Sequence, residues 1–264
     1  MPAIDPRRLK RDSLAAAQAS REPAELVRRC VRLLDTHAER TRRPPEAARP
    51  EEAVRGFGTP LSVVRTLATA IDREIRDDKD ARWAAVEALW DADFRETQQI
   101  AAELLGSVDQ SSAADRVEVL LEGEGNRLDV ETLVQRGTRG WRETAPQEYL
   151  ERARGWLRSG EEDLVWAGLS ALGAAVNEVP GHELHLVLSA LSGHAERLHG
   201  APYRAYRDLL ADLVERSAPE CAQFLLDELR QANYDRASRE LVSDLLPQFS
   251  DPQRAKLERA LAVS

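Results

Sequence analysis

The stretch LSVVRTLATAIDREIRDDKDARWAAVEALWDADFRETQQIAAELLG, residues 61–106, decides the fold. Leu61, Val64, Leu67, Ala68 and Ile71 recur at steps of three and four, the signature of one buried helical face. Just upstream, Gly56-Phe57-Gly58-Thr59-Pro60 reads as a turn feeding that helix, with Thr59 as N-cap and Pro60 at the first helical position. Asp77, Asp78 and Asp80 supply capping chemistry at the next junction, and helices are expected over 80–90 and 94–105, closing at Gly106. Ala, Leu, Arg and Glu dominate here, and they lose little side-chain freedom in a helix. Helix, short break, helix is a helical hairpin.

The pattern continues in both directions. Downstream, 113–121 pairs with 130–136 across Glu122-Gly123-Glu124-Gly125-Asn126, and 146–157 pairs with 161–176 across Ser159-Gly160. Then come 181–191 with 202–216, 219–231 with 236–246, and a terminal helix over 251–261. Pair starts recur at about 35 residues, the period of helical-hairpin solenoids. A lone hairpin cannot bury its apolar face, so neighbours stack and leave one curved face free for a partner. The expected fold class is all-α, an α-solenoid of helical hairpins. Upstream, Leu26, Val27, Cys30, Leu33 and Leu34 form one stripe of a helix over 23–40, which Thr41-Arg42-Arg43-Pro44-Pro45 ends because proline cannot continue it. Residues 1–50 are therefore expected to be N-terminal helices with a Pro-rich linker, and 51–264 the repeat domain.

The chain has 264 residues, enough to bury a real core. Lys and Arg number 37 against 46 Asp and Glu, a net charge of −9, which disfavours non-specific wrapping of nucleic acid but leaves room for a local basic face. With 42% hydrophobic and 31% charged residues the chain reads as folded rather than disordered. It has no apolar run near the ~20 residues a membrane helix needs. The first eleven residues are charged and lack the apolar core of a secretory signal, and the two cysteines, Cys30 and Cys221, are too few for a disulfide framework or a thiolate metal site. A cytoplasmic protein without a cofactor is expected; its oligomeric state stays open.

The segment Glu87-Ala88-Leu89-Trp90-Asp91-Ala92-Asp93-Phe94-Arg95-Glu96, continuing through Ile100-Ala101-Ala102-Glu103-Leu104-Leu105, resembles the AlkD-like DNA alkylation repair family, as does Gly58-Thr59-Pro60 before a helix. By its residues alone, Leu89 and Trp90 end one helix, and Asp93 starts the next with Glu96 at capping-box spacing. Ile100, Ala101, Leu104 and Leu105 then pack a close helix pair, and Trp90 reads as core. The resemblance implies a superhelix of HEAT-like repeats. It also implies removal of alkylated bases without flipping them into a pocket, by two tryptophans, an aspartate and an arginine on a concave basic face. Such chemistry sets an anion beside a developing oxocarbenium sugar and aromatic faces against a cationic base.

Place by place, this chain departs from that set. The family's Trp-x-x-x-Asp falls on 126–132, where Leu128 takes the tryptophan place and Thr132 the aspartate place, with Asp129 and Glu131 flanking. The arginine place falls near Trp166, in a stretch without arginine, and the second tryptophan place near Leu209. The reading that follows is a family-like protein without base excision, recognising DNA or another protein on its concave face. The alternative is a DNA glycosylase working through substitute residues, Asp129 or Glu131 with Trp141 or Trp166.

Three clusters remain. Arg136, Arg139, Trp141 and Arg142 form the densest basic-aromatic group, suited to phosphates and a stacked base, or else to a helix C-terminus with Trp141 capping the core. His182 and His185 would share a helix face with His194 or His199 nearby, a loose N/O metal pattern, but Leu186 breaks the His-Glu-x-x-His spacing and surface histidines explain it as well. No metal is expected. Arg7, Arg8, Lys10 and Arg11, with Arg40, Arg42 and Arg43, are basic enough for a phosphate backbone, though a solvated flexible end is the simpler reading.

Overall fold

The structure is a computed structural model that describes residues 5–38, 55–108, 112–121, 127–176 and 184–262. The described chain is helical throughout, joined by turns and one short 3-10 segment. It divides into two compact units, Met1–Pro146 and Gln147–Ser264.

The first unit contains α1 (Pro6–Ala17), α2 (Pro23–Thr36), α3 (Leu61–Glu74), α4 (Lys79–Asp91), α5 (Arg95–Leu105), α6 (Ser112–Leu121), α7 (Arg127–Gly137) and α8 (Arg139–Thr144). Consecutive helices pair, as α1 with α2, α4 with α5 and α6 with α7. Alternate helices also touch: α1, α3, α5 and α7 form one row, and α2 lies beside α4. Hairpins that pair within themselves and stack on their neighbours are the repeat architecture expected. Val63, Val64, Leu67 and Ile71 of α3 and Ile100, Leu104 and Leu105 of α5 are fully buried between the rows.

The second unit contains α9 (Pro146–Arg158), α10 (Glu162–Val176), α11 (Leu184–Leu191), α12 (Gly200–Gln231), α13 (Arg236–Leu245), the 3-10 turn Leu246–Gln248 and α14 (Asp251–Leu261). Helix α12 is the hub, touching α10, α11, α13 and α14. A Cβ on Gly168 of α10 would lie 2.8 Å from Leu157 Cγ and 2.9 Å from the Ala153 carbonyl oxygen, so only glycine lets α9 and α10 come this close. Two helices were expected over 202–231. They run together as α12, whose backbone leaves the helical region at Ser217 (φ −152°, ψ 83°), two residues before Pro219. Proline lacks the N–H and crowds the preceding turn, so the break falls where the sequence put it.

Local starts differ from expectation in three places. Helix α3 begins at Leu61 with Pro60 in the cap position, and the Thr59 hydroxyl donates to the Leu34 carbonyl at 3.0 Å instead of capping. Helix α5 begins at Arg95 with Phe94 in the cap position, not at Asp93, which takes a left-handed backbone (φ 55°). The basic N-terminal stretch is helix α1, capped by Asp5, which accepts from the Arg7 N–H at 2.9 Å. It is helical because Leu9, Ser13, Ala16 and Ala17 are buried along one side, leaving Arg7, Arg8, Lys10 and Arg11 exposed. Asp78, by contrast, caps α4 as expected, accepting from the Ala81 N–H at 3.1 Å. Residues 39–54 and 122–126, which hold the expected linker with Arg40, Arg42 and Arg43 and the Gly123-Glu124-Gly125 turn, lie outside the described residues.

Candidate functional site

The basic-aromatic cluster sits where the end of α5 meets the end of α7 and the start of α8. Two glycines make that joint. The Gly140 N–H donates to the Gly106 carbonyl at 3.1 Å. A Cβ on Gly106 would fall 1.9 Å from the Arg136 carbonyl oxygen, and one on Gly140 2.4 Å from that of Val108. Backbone packs on backbone here, and any side chain would force the helix ends apart.

This close approach gathers charge from three helices. Glu103 of α5 is mostly buried, and Arg136 of α7 binds its Oε1 at 2.5 Å while Arg139 of α8 lies 3.7 Å from its Oε2. One carboxylate between two guanidiniums leaves a net positive charge. Arg139 is about half exposed and Arg136 a quarter exposed, so both present cationic edges to solvent. Arg142 is turned inward, 7% exposed. Its Nη1 and Nη2 each donate to the Gln135 carbonyl at 3.2 Å, and Nη1 donates to Thr138 Oγ1 at 2.9 Å. Gln135 lies in the last turn of α7 and Thr138 just beyond it, where a cation satisfies open carbonyls and the negative helix end. Trp141 is 2% exposed and packs beneath the joint. The four residues are thus brought together in two roles, Arg136 and Arg139 at the surface and Trp141 and Arg142 in the support.

Two further polar clusters hold α5 in place, and neither could be found from spacing. Glu96, 3% exposed, accepts from the Phe57 N–H at 3.0 Å and the Thr59 N–H at 3.1 Å. Phe57 stacks on Phe94 with ring centroids 4.8 Å apart, and the Arg95 N–H donates to the Arg55 carbonyl at 2.8 Å. Glu96 therefore binds a distant turn rather than closing a capping box on its own helix. Arg82 of α4, 5% exposed, bridges Asp72 Oδ1 at 2.6 Å, Ser107 Oγ at 2.5 Å and the Leu104 carbonyl at 3.1 Å. Burial pushes the Asp72 carboxyl upward, but the Ser107 hydroxyl and the Arg82 and Arg76 guanidiniums outweigh it and hold Asp72 below its usual range.

The remaining sequence candidates are scattered. Asp129 lies in α7, but its side chain is outside the described residues. Glu131 is exposed and accepts from Gln135 Nε2 at 2.9 Å. Thr132 is half-buried, Leu209 is buried in α12, and Trp166 is half-buried on α10. Helix α10 carries no arginine and buries nine residues, from Val165 to Val176. His182 lies outside the described residues, and His185 is exposed on α11. Among the described residues no group of three or more His, Cys, Asp or Glu side chains could hold a metal ion. Nor, among them, is any helix long and apolar enough to cross a membrane.

The model of the family described as DNA alkylation repair enzyme matches residues 30–225. No curated protein and no solved structure matches this chain. The matched span runs from Cys30 in α2 well into α12, taking in the Glu96-held turn, the Leu89–Trp90 helix end and the glycine joint with its arginines. With well over half of its length matched, and with paired, stacked helices throughout the first unit, the chain belongs to the DNA alkylation repair enzyme family.

Proposed function

We propose that this protein is a cytoplasmic DNA-recognition member of its family that does not excise bases, and that Arg136 and Arg139 contact the phosphate backbone. The observation that carries the reading is the charge excess at the glycine joint, where two partly exposed guanidiniums share one carboxylate. Guanidinium forks match phosphate oxygens, and a rigid backbone contact holds them in place without ordering a loop at each encounter. The arginine-free α10, together with Leu128 and Thr132 in α7, supports the absence of excision.

The test is one preparation examined twice. Duplex binding is titrated across salt for the wild type and for Arg136→Glu with Arg139→Glu, and release of methylated purines from treated DNA is followed in parallel. Salt-dependent binding that weakens in the charge-reversed variant, with no base released, supports the proposal. Base release would move the assignment to a glycosylase using Asp129 or Glu131 with Trp141 or Trp166. Failure to bind DNA at any salt would favour a protein partner, the direction in which the net charge of −9 points.

A further inference from the structure

A second group of arginines lies in the other unit, where none forms an ion pair with a described acid. Arg154 and Arg158 stand four apart on α9, hence on one helix face, and Arg197 lies in the segment joining α11 to α12. None of the three is joined by a side-chain hydrogen bond or ion pair to any described residue, and the Arg154 Nε is buried without a partner. In a chain with more acids than bases, three arginines left unpaired in one place require an explanation.

Beside them lies His194, 2% exposed, with neither Nδ1 nor Nε2 hydrogen-bonded. A neutral imidazole carries one donor and one acceptor, and buried polar groups are ordinarily satisfied. Its ring lies within the field of all three arginines: burial, then Arg158, Arg197 and Arg154, lower its basicity, and no carboxylate opposes them. Arginine at a helix C-terminus would account for Arg158 alone. It leaves Arg197 and the unsatisfied histidine unexplained.

The segment that carries His194 and Arg197 is held firmly. Its start is tied to α12 by buried Glu228, which accepts from Ser192 Oγ at 2.5 Å and from the Gly193 N–H at 2.9 Å. The Arg197 and Leu198 N–H groups close a turn onto the His194 carbonyl at 3.0 and 3.2 Å. Gly193 and Gly200, at φ 77° and 62°, bracket it in backbone conformations that glycine adopts freely. A cavity of about 600 Å³ flanks the same segment, lined by Glu196, His199, Tyr203 and Glu240 but by neither His194 nor Arg197. The cationic and acidic groups of the segment are thus sorted into different surroundings.

We infer that Arg154, Arg158, Arg197 and His194 form a phosphate-binding site, with three guanidinium forks around a phosphate group and the imidazole N–H beneath it. Phosphate fits better than a carboxylate because its non-bridging oxygens, two in a diester and three in a monoester, are set tetrahedrally and can occupy several forks at once. The inference is independent of Arg136 and Arg139 and of the DNA reading.

The test follows the His194 ring resonances by NMR, assigned with His194→Gln, while inorganic phosphate is added at constant ionic strength. A saturable shift with phosphate, absent with chloride and weakened about tenfold in Arg154→Gln with Arg158→Gln, is expected. The Arg136→Gln variant should titrate as the wild type does. No shift, or an equal shift with chloride or in the double variant of unchanged thermal stability, overturns the site. Two further arms identify the source of the phosphate: displacement of bound phosphate by a short DNA duplex assigns it to the nucleic-acid backbone, and displacement by a nucleoside monophosphate alone assigns it to a free ligand.

Discussion

The Glu96 carboxylate accepts the backbone N–H of Thr59 at 3.1 Å, across 37 positions of sequence. The same carboxylate accepts the Phe57 N–H at 3.0 Å. This contact joins the two segments that carry the family resemblance, the Gly58-Thr59-Pro60 turn and the Arg95-Glu96 start of α5. What reads in the sequence as two separate motifs is one tertiary interaction. The turn's open N–H groups and the positive end of α5 together give a buried acid reason to be there.

Removing that acid leaves two N–H groups of a part-buried turn without partners. Glu96→Ala is expected to destabilise the first unit by about 3 kcal/mol, and Glu96→Gln, which keeps one acceptor, by less. Urea unfolding followed by circular dichroism measures both; equal midpoints for Ala, Gln and wild type would refute the role assigned to Glu96.

The glycine joint predicts opposite signs for the same mutation at different places. Gly106→Ala puts a methyl into the Arg136 carbonyl and should cost about 3 kcal/mol while loosening the Arg136–Glu103 pair. Gly155→Ala, on α9 with nothing within 4 Å, should stabilise by about 0.5–1 kcal/mol. Thermal unfolding of the two variants decides the matter.

Asp72 titrates below its usual range in the folded protein, so it holds more protons when unfolded. Its contribution to stability is present above the unfolded aspartate value near 4 and fades as pH falls through the lower folded value. Asp72→Asn should flatten the acid limb of the stability profile, measured as denaturation midpoint against pH. Arg82→Ala, which removes the closest cation from Asp72 and leaves it the Ser107 hydroxyl and Arg76, should cost about 3 kcal/mol at neutral pH.

If Arg136 and Arg139 each neutralise one phosphate, neutralising either should reduce the slope of log binding constant against log salt by about 0.9. Arg142→Gln should instead lower stability, because Arg142 serves the carbonyls at the end of α7. A salt slope that changes for Arg142→Gln and not for the other two would reverse these roles.

Cys30 and Cys221 are buried free thiols whose ionisation burial pushes up to about 12. At pH 8 the native protein should react with a thiol reagent far more slowly than the unfolded chain, since the thiolate is the reactive form. Fast native labelling of either cysteine would contradict the packing around α2 or α12.

The sequence by itself determined the helices, their pairing into hairpins and the break before Pro219, because periodicity, propensity and proline act within a few residues of each other. It also singled out Arg136, Arg139, Trp141 and Arg142 by composition. Only the tertiary structure decided which of them face solvent, because that depends on Glu103, 33 positions from Arg136, and on two glycine backbones meeting. Glu96 looked like a local cap and is a long-range anchor; Arg82, Asp72 and Ser107 gave no signal at all. A charged side chain's partner is set by where distant helices end up, and spacing along one helix cannot carry that information.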